Sequence, residues 1–264
     1  MKASTIGDLL NGLCGISTLV YGMLITVHAS GHYSLSSFGL GQAWDADGFC
    51  ISNKGTLADS HLLCLYFDTV AALFLFILSR YSRRVELEHV ADNALSVFAH
   101  GFVHGMAPWI LDANDQRPIL LVVTHPLARA FITIAFAGFF SVFLRLGSWA
   151  GPLPNLQTAL HTAIFLLLIP SKYDFAYVQC TLFLNSCYSN FNSVDKDIFY
   201  PLFVLLYMTP IQIGAYLEPL TCDSFLLSWG GHLWFDILVV VGLLAYCFVA
   251  IQLPPRKIKS KKEE

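Results

Sequence analysis

Two histidines lie one helical turn apart inside an apolar stretch of this chain. The stretch "NALSVFAHGFVHGMAPW" covers residues 93–109 and carries His100 and His104 four positions apart. Asn93 and Ser96 precede them at spacings of three and four residues. Residues at these spacings share one face of an α-helix, so the four polar side chains form a stripe on an otherwise apolar helix.

Three further apolar stretches carry ionisable side chains at helical spacing. Spacings of three, four or seven residues again place the members of each group on one face of a helix. The sequences "LYFD" and "LWFD" end two of the groups, so that an aspartate follows an aromatic pair in both. The groups are His61, Cys64 and Asp68; His125 and Arg129; and His232 and Asp236.

These side chains suit three kinds of chemistry. Imidazole and carboxylate groups are ligands that zinc and iron take, and i, i+4 pairs project from one helix face. A histidine beside an aspartate can act as a general acid or base, because the carboxylate orients and charges the ring. Buried histidines and carboxylates can also relay protons or ions across a membrane. The predicted metal ligands are His100, His104, His232 and Asp236.

The composition predicts that helices crossing a membrane position these groups. Of the 264 residues, 56% are hydrophobic and only 12% are charged, whereas an average soluble domain has about 25% charged residues. A span needs roughly 20 mainly apolar residues. We therefore predict an all-α, polytopic transmembrane bundle of about eight spans, with six or seven as alternatives because the fifth and sixth are weak. The predicted spans are residues 7–28, 60–79, 92–111, 119–146, 156–171, 174–191, 198–217 and 224–252.

Most of the ionisable groups lie at a similar depth in these spans. An ionisable side chain within a span costs about 2.5–3.5 kcal/mol on insertion scales and normally faces the bundle interior. At about 1.5 Å per residue, the histidines and aspartates fall in a layer roughly 7 Å thick. We therefore predict that they converge. The predicted catalytic set is Asp68, His100, His104, His232 and Asp236, and the additional set is His61, His125 and Arg129.

Lysine and arginine predict the orientation of the bundle, because these residues are enriched in cytosolic segments. With eight spans, one side receives Lys2, Arg80, Arg83, Arg84, Arg145, Lys196, Arg256, Lys257, Lys259, Lys261 and Lys262, and the other receives Lys54, Arg117 and Lys172. Both termini are therefore expected in the cytosol. The predicted organisation is a single transmembrane domain over 1–253, with a lumenal loop at about 30–59, and a basic cytosolic tail over 254–264.

Two features outside the spans indicate a compartment. The last four residues, "KKEE", resemble the di-lysine retrieval signal of endoplasmic reticulum membrane proteins, with Lys261 and Lys262 in the required positions. Cys50 and Cys222 lie in loops on the lumenal, oxidising side, so they are candidates for a disulfide. The sequence therefore predicts a multi-pass protein of the endoplasmic reticulum membrane.

The leading functional hypothesis is an enzyme that hydrolyses or isomerises a lipid or sterol within the bilayer through the His/Asp layer. Zinc or iron is a compatible cofactor. The alternatives are a proton- or ion-coupled transporter or channel, and a non-catalytic membrane assembly factor. The net charge of −3 predicts no nucleic-acid partner. The motifs identify no protein family.

Overall fold

The computed structural model describes residues 3–29, 58–110, 126–147, 153–169, 174–191, 198–221 and 231–255. Within these ranges every regular element is helical and no strand occurs. The predicted all-α class is therefore confirmed. The helices are α1 (Ala3–Ala29), α2 (Ala58–Ser82), α3 (Glu88–Ile110), α4 (Pro126–Gly147), α5 (Leu153–Leu168), α6 (Asp174–Phe191), α7 (Phe199–Phe203), α8 (Thr209–Thr221) and α9 (Gly231–Gln252).

Each predicted apolar run contains one helical segment, if α7 and α8 are counted as one rod with the π-helical turn Val204–Met208 between them. In the fourth run the described helix starts with Pro126. Proline is favoured in the first helical turn, because its missing N–H would have no partner inside the helix.

Two of the described helices are long and apolar enough to cross a membrane. These segments are Leu62–Ser82 in α2 and Leu233–Gln252 in α9, with mean hydropathies of 2.2 and 2.4. Shorter apolar segments occur in α4, α5 and the α7–α8 rod. A length-and-composition criterion therefore identifies fewer spans in the described part of the chain than the eight that the sequence predicts.

Helix α3 packs against α2 on one side and α4 on the other, and α9 packs against α2. Two glycines allow the close approach of α3 to α2. A Cβ atom at Gly101 would lie 2.5 Å from Cβ of Asp68, and one at Gly105 would lie 2.5 Å from a methyl carbon of Leu65. Small residues at helix–helix contacts let backbones approach closely. The "HG" dipeptides of α3 thus bring its histidine face against α2.

The turn between α2 and α3 holds the end of α9. The Arg84 guanidinium donates hydrogen bonds to the carbonyl oxygens of Ile251 and Leu253, at 3.0 and 2.8 Å. It also pairs with Glu86 at 3.3 Å, and the Glu86 backbone carbonyl accepts a hydrogen bond from the Tyr246 hydroxyl. Carbonyl groups in the last turn of a helix have no donor within the helix. Arg84 supplies donors and so fixes α9 beside α2.

The π-helical turn Val204–Met208 packs against α9. Pro210 has no N–H to donate to the carbonyl of Leu206, four residues earlier. Around this position the helix widens, and the Thr209 N–H bonds to the carbonyl of Val204, five residues earlier. The Leu206 carbonyl faces Gly242 of α9, where any Cβ would collide with it. Gly242 therefore lets α9 lie against the widened turn.

The interior of the bundle contains polar side chains beside a hydrophobic core, and much of its outer surface is apolar. Buried polar side chains include Asn11, Thr18, Ser79, Asn93 and Ser96, each at most 4% exposed. On α1, a stripe of exposed apolar side chains runs along the opposite face. The stripe consists of Ile6, Leu9, Leu13, Ile16, Val20 and Met23. On α1, with Asn11 and Thr18 buried and the apolar stripe exposed, the distribution is the inverse of the one that water imposes on a surface helix.

Candidate functional site

Helix α3 carries its polar stripe on its buried face. Asn93 and Ser96 are fully buried, and His104 is 3% exposed. The Ser96 hydroxyl donates a hydrogen bond to the carbonyl of Ala135 on α4. The hydrogen bond fixes the rotation of α3 against α4, and His100 and His104 follow one and two turns later on the same face.

Asp68 of α2 contacts His100 directly. Its Oδ2 atom lies 3.1 Å from Nδ1 of His100, and the carboxylate is buried against Gly101. A carboxylate in this position accepts a hydrogen bond, so Nδ1 of His100 is the donor when no other cation is present. The second oxygen of Asp68, Oδ1, has no hydrogen-bond partner among the described residues.

Asp236 of α9 approaches the same imidazole nitrogen. Its Oδ1 atom lies 3.6 Å from Nδ1 of His100, and its side chain is 4% exposed. The two aspartates that follow aromatic pairs in "LYFD" and "LWFD" therefore meet at one histidine. One ligand atom from each of Asp68, His100 and Asp236 lies within 4.8 Å of the others.

His104 extends the cluster along α3. Its Nε2 atom lies 3.3 Å from Nε2 of His100, and the two rings pack edge to face with centroids 4.6 Å apart. His100 thus joins the carboxylates at one ring nitrogen to His104 at the other. Such a series can pass a proton between its ends, because each imidazole can donate at one nitrogen and accept at the other.

Exposure distinguishes His100 from the two carboxylates beside it. The side chain of His100 is 25% exposed, whereas those of Asp68 and Asp236 are 2% and 4% exposed. Two buried carboxylates next to one imidazole favour a positive charge at that point. The arrangement can therefore hold an imidazolium or a bound cation beside a partly exposed ring.

The structure brings together four of the five residues of the predicted catalytic set. They are Asp68, His100, His104 and Asp236. His232 lies on α9 one turn before Asp236, but its side chain is outside the described part of the structure. Their catalytic and metal-binding roles stay predictions, because the geometry alone does not test them.

The other predicted site residues have different positions. The Arg129 guanidinium donates to the carbonyl oxygens of Phe165 and Ile169, both at 2.9 Å, and stacks on the Phe165 ring. The described contacts of Arg129 thus provide hydrogen-bond donors to backbone carbonyl groups at the end of α5. The side chain of His61 and all of His125 lie outside the described residues, as do Cys50, Cys222, Lys261 and Lys262.

One residue of the site is absent from the predicted set. Gly101 follows His100 directly and provides the space that the Asp68 side chain occupies. The repeated "HG" in "HGFVHG" is the sequence signal for this contact, since a glycine beside a buried polar residue often marks close helix packing. No protein-family model, curated protein or solved structure matches this chain.

Proposed function

We propose that this protein is a polytopic membrane enzyme that acts on a lipid within the bilayer, using the His100–His104 pair as the proton-transfer group. The observation that carries the reaction is the accessible His100 imidazole between two buried carboxylates. The long exposed apolar stripes on α1 and α2 support the membrane setting. The "KKEE" ending supports location in the endoplasmic reticulum.

The apolar stripes match the thickness of a bilayer. On α1 the exposed stripe from Ile6 to Met23 extends about 26 Å at about 1.5 Å per residue. On α2 the exposed side chains from Leu63 to Tyr81 extend about 27 Å on the same scale. The hydrocarbon core of a bilayer is about 30 Å thick. Soluble proteins rarely expose continuous apolar surface of this extent, so lipid is the solvent that fits these faces.

The cluster suits reactions that need a proton to leave one atom and return at another. In hydrolysis, the His100–His104 pair would accept a proton from water as the water adds to a lipid carbonyl. The same proton would then go to the departing alcohol or amine. In isomerisation, the pair would remove a proton from one carbon and return it to another. Asp68 and Asp236 would stabilise the imidazolium in either case.

The test uses purified full-length protein reconstituted in vesicles made from a microsomal lipid extract. Mass spectrometry would follow lipids that gain one water or that change retention time without a change of mass. We expect His100→Gln and Asp68→Asn to lose activity by about 100-fold or more, the usual contribution of a general acid or base. His161→Gln is the matched control, because His161 contacts Tyr177 between α5 and α6. An unchanged lipid profile with the wild-type protein would overturn the proposal.

A proton-coupled transporter is the second candidate, and the His100–His104 contact favours it. Two imidazoles joined at 3.3 Å beside two carboxylates form a proton path. Proteoliposomes that contain a pH-sensitive dye would separate the two functions. Proton flux that His104→Gln abolishes, without any change of lipid composition, would favour the transporter.

A further inference from the structure

We infer that Asp68, His100 and Asp236 bind a divalent transition-metal ion. This inference names the cofactor of the same cluster and rests on the proposed function for its chemical meaning. Metal binding itself can be measured without any activity. Three observations carry it: the distances between the candidate ligand atoms, the charge of the cluster, and a buried carboxylate oxygen without a hydrogen-bond partner.

The distances from His100 to the two carboxylates fit a tetrahedral ion. Nitrogen and oxygen ligands about 2.1 Å from a tetrahedral metal ion lie about 3.4 Å from one another. Nδ1 of His100 lies 3.1 Å from Oδ2 of Asp68 and 3.6 Å from Oδ1 of Asp236. A single proton on Nδ1 can make one hydrogen bond, and 3.6 Å is too long for a second one. One ligand atom from each of the three residues lies within 4.8 Å of the others, so a bound ion would draw the two carboxylates together.

The charge of the cluster favours a dication over a proton. Asp68 and Asp236 together carry two negative charges when ionised, and both are buried. A protonated His100 supplies one positive charge against these two negative charges, and an imbalance of buried charge is costly. A divalent ion with a neutral imidazole compensates both.

The third observation concerns Asp68. Its Oδ1 atom is buried and has no hydrogen-bond partner among the described residues, and the side chain is only 2% exposed. Buried carboxylate oxygens are normally satisfied by donors or by metal ions. Because Gly101 has no Cβ, the Asp68 carboxylate lies close to the backbone of α3. An ion coordinated by both carboxylate oxygens of Asp68 would satisfy Oδ1 as well as Oδ2.

His104 would orient the ligand without contacting the metal. With Nδ1 of His100 on the ion, Nε2 carries the proton and donates it to Nε2 of His104, 3.3 Å away. Metal-bound histidines usually donate their other N–H to such a partner. Three protein ligands leave one coordination position open, as in catalytic zinc sites. An open position on the accessible side of His100 can take water or a lipid carbonyl oxygen.

The experiment measures metal in the purified full-length protein in detergent. We expect about one zinc or iron ion per chain by elemental analysis, since one site is proposed. After removal of metal with a chelator, titration with Zn²⁺ should restore thermal stability. Co²⁺ should give the visible absorption bands of nitrogen and oxygen coordination. Failure of the wild-type protein to hold or take up any of these ions would overturn the metal site.

Isosteric variants locate the site. Asp68→Asn, His100→Gln and Asp236→Asn should each abolish stoichiometric binding, while His104→Gln should weaken binding by about 10–100-fold. His161→Gln should bind as the wild type does. Size-exclusion elution and thermal unfolding report folding, and the wild-type Co²⁺ spectrum stands even if a variant does not fold. Metal retained at wild-type stoichiometry in the three folded ligand variants would overturn the assignment.

The outcomes separate this inference from the proposed function. If the protein converts lipid without binding metal, the metal-site inference is wrong and the acid–base proposal stands. If the protein binds one metal ion through these residues but converts no lipid, the metal-site inference stands and the proposed enzymatic function is wrong. In both cases the metal measurement gives a result without reference to the activity.

Discussion

Nδ1 of His100 lies 3.1 Å from Oδ2 of Asp68, although 32 residues separate them in the chain. The contact exists because α2 and α3 approach closely at Gly101, whose missing Cβ leaves room for the aspartate. The approach of two backbones thus sets the geometry of the candidate site. Substitutions that change the separation of α2 and α3 should therefore affect the site without altering any of its polar groups.

Gly101 of α3 provides the first prediction. Gly101→Ala should separate α2 from α3, because the new Cβ would lie 2.5 Å from Cβ of Asp68, which cannot move without its backbone. We expect a loss of about 1–3 kcal/mol in the free energy of unfolding together with loss of metal binding. Gly22→Ala is the matched control. Its new Cβ would lie 2.5 Å from Cβ of Gln179, at the contact of α1 with α6, which carries none of the site residues, so metal binding should persist. Equal metal affinity in both variants would contradict the argument.

The membrane setting provides the second prediction. Leu73 on α2 is 61% exposed, near the middle of the apolar segment. Leu73→Arg should cost about 2.5–3.5 kcal/mol of insertion in a membrane, whereas an exposed site in water tolerates most substitutions within about 0.5 kcal/mol. Tyr81→Arg, at the end of α2, should be tolerated because the side chain can reach the interface. Membrane insertion and steady-state abundance are the measurements. Normal abundance of Leu73→Arg would argue for a water-exposed surface.

The carboxyl-terminal tail provides the third prediction. Changing Lys261 and Lys262 to Ser should release the protein from the endoplasmic reticulum toward the Golgi or the cell surface, if a retrieval receptor binds the "KKEE" ending. Microscopy of the protein tagged at its amino terminus, which leaves the carboxyl-terminal signal unchanged, measures the distribution. A tag on either terminus should be accessible to protease in sealed microsomes, since positive residues favour the cytosolic side. Protection of the carboxyl terminus would refute both the orientation and the signal.

The Arg84 contacts provide the fourth prediction. Arg84→Ala removes the donors to the carbonyls of Ile251 and Leu253 and the ion pair with buried Glu86. We expect a loss of about 3 kcal/mol in the free energy of unfolding, because a buried charge loses its partner. Arg84→Lys should recover only part of the loss, since an ammonium lacks the planar fork of donors. Thermal unfolding in detergent measures both variants.

A double substitution provides the control for the fourth prediction. Arg84→Ala combined with Glu86→Gln should be less destabilised than the sum of the single variants, because the second change removes the uncompensated carboxylate. Strict additivity of the two losses would show that the ion pair does not contribute. The hydrogen bonds to the end of α9 would then account for the whole effect of Arg84.

Local pattern in the sequence determined the helices and the faces that their polar residues occupy. The spacing of Asn93, Ser96, His100 and His104 placed them on one side of α3, because helical periodicity depends only on neighbours along the chain. Apolar runs likewise predicted where helices form, and the described helices follow them. The expectation that Asp68, His100, His104 and Asp236 lie together came from their similar depths in the predicted spans.

Only the tertiary structure decided which atoms meet. Both aspartates approach the same nitrogen of His100, while His104 approaches the other nitrogen. Such distances depend on the packing of α2, α3 and α9, and packing depends on contacts between segments far apart in the chain. The acceptors of Arg84 are backbone carbonyls of Ile251 and Leu253. Every residue has a backbone carbonyl, so no sequence pattern predicts which carbonyls Arg84 contacts. The position of the end of α9 in the folded chain determines them.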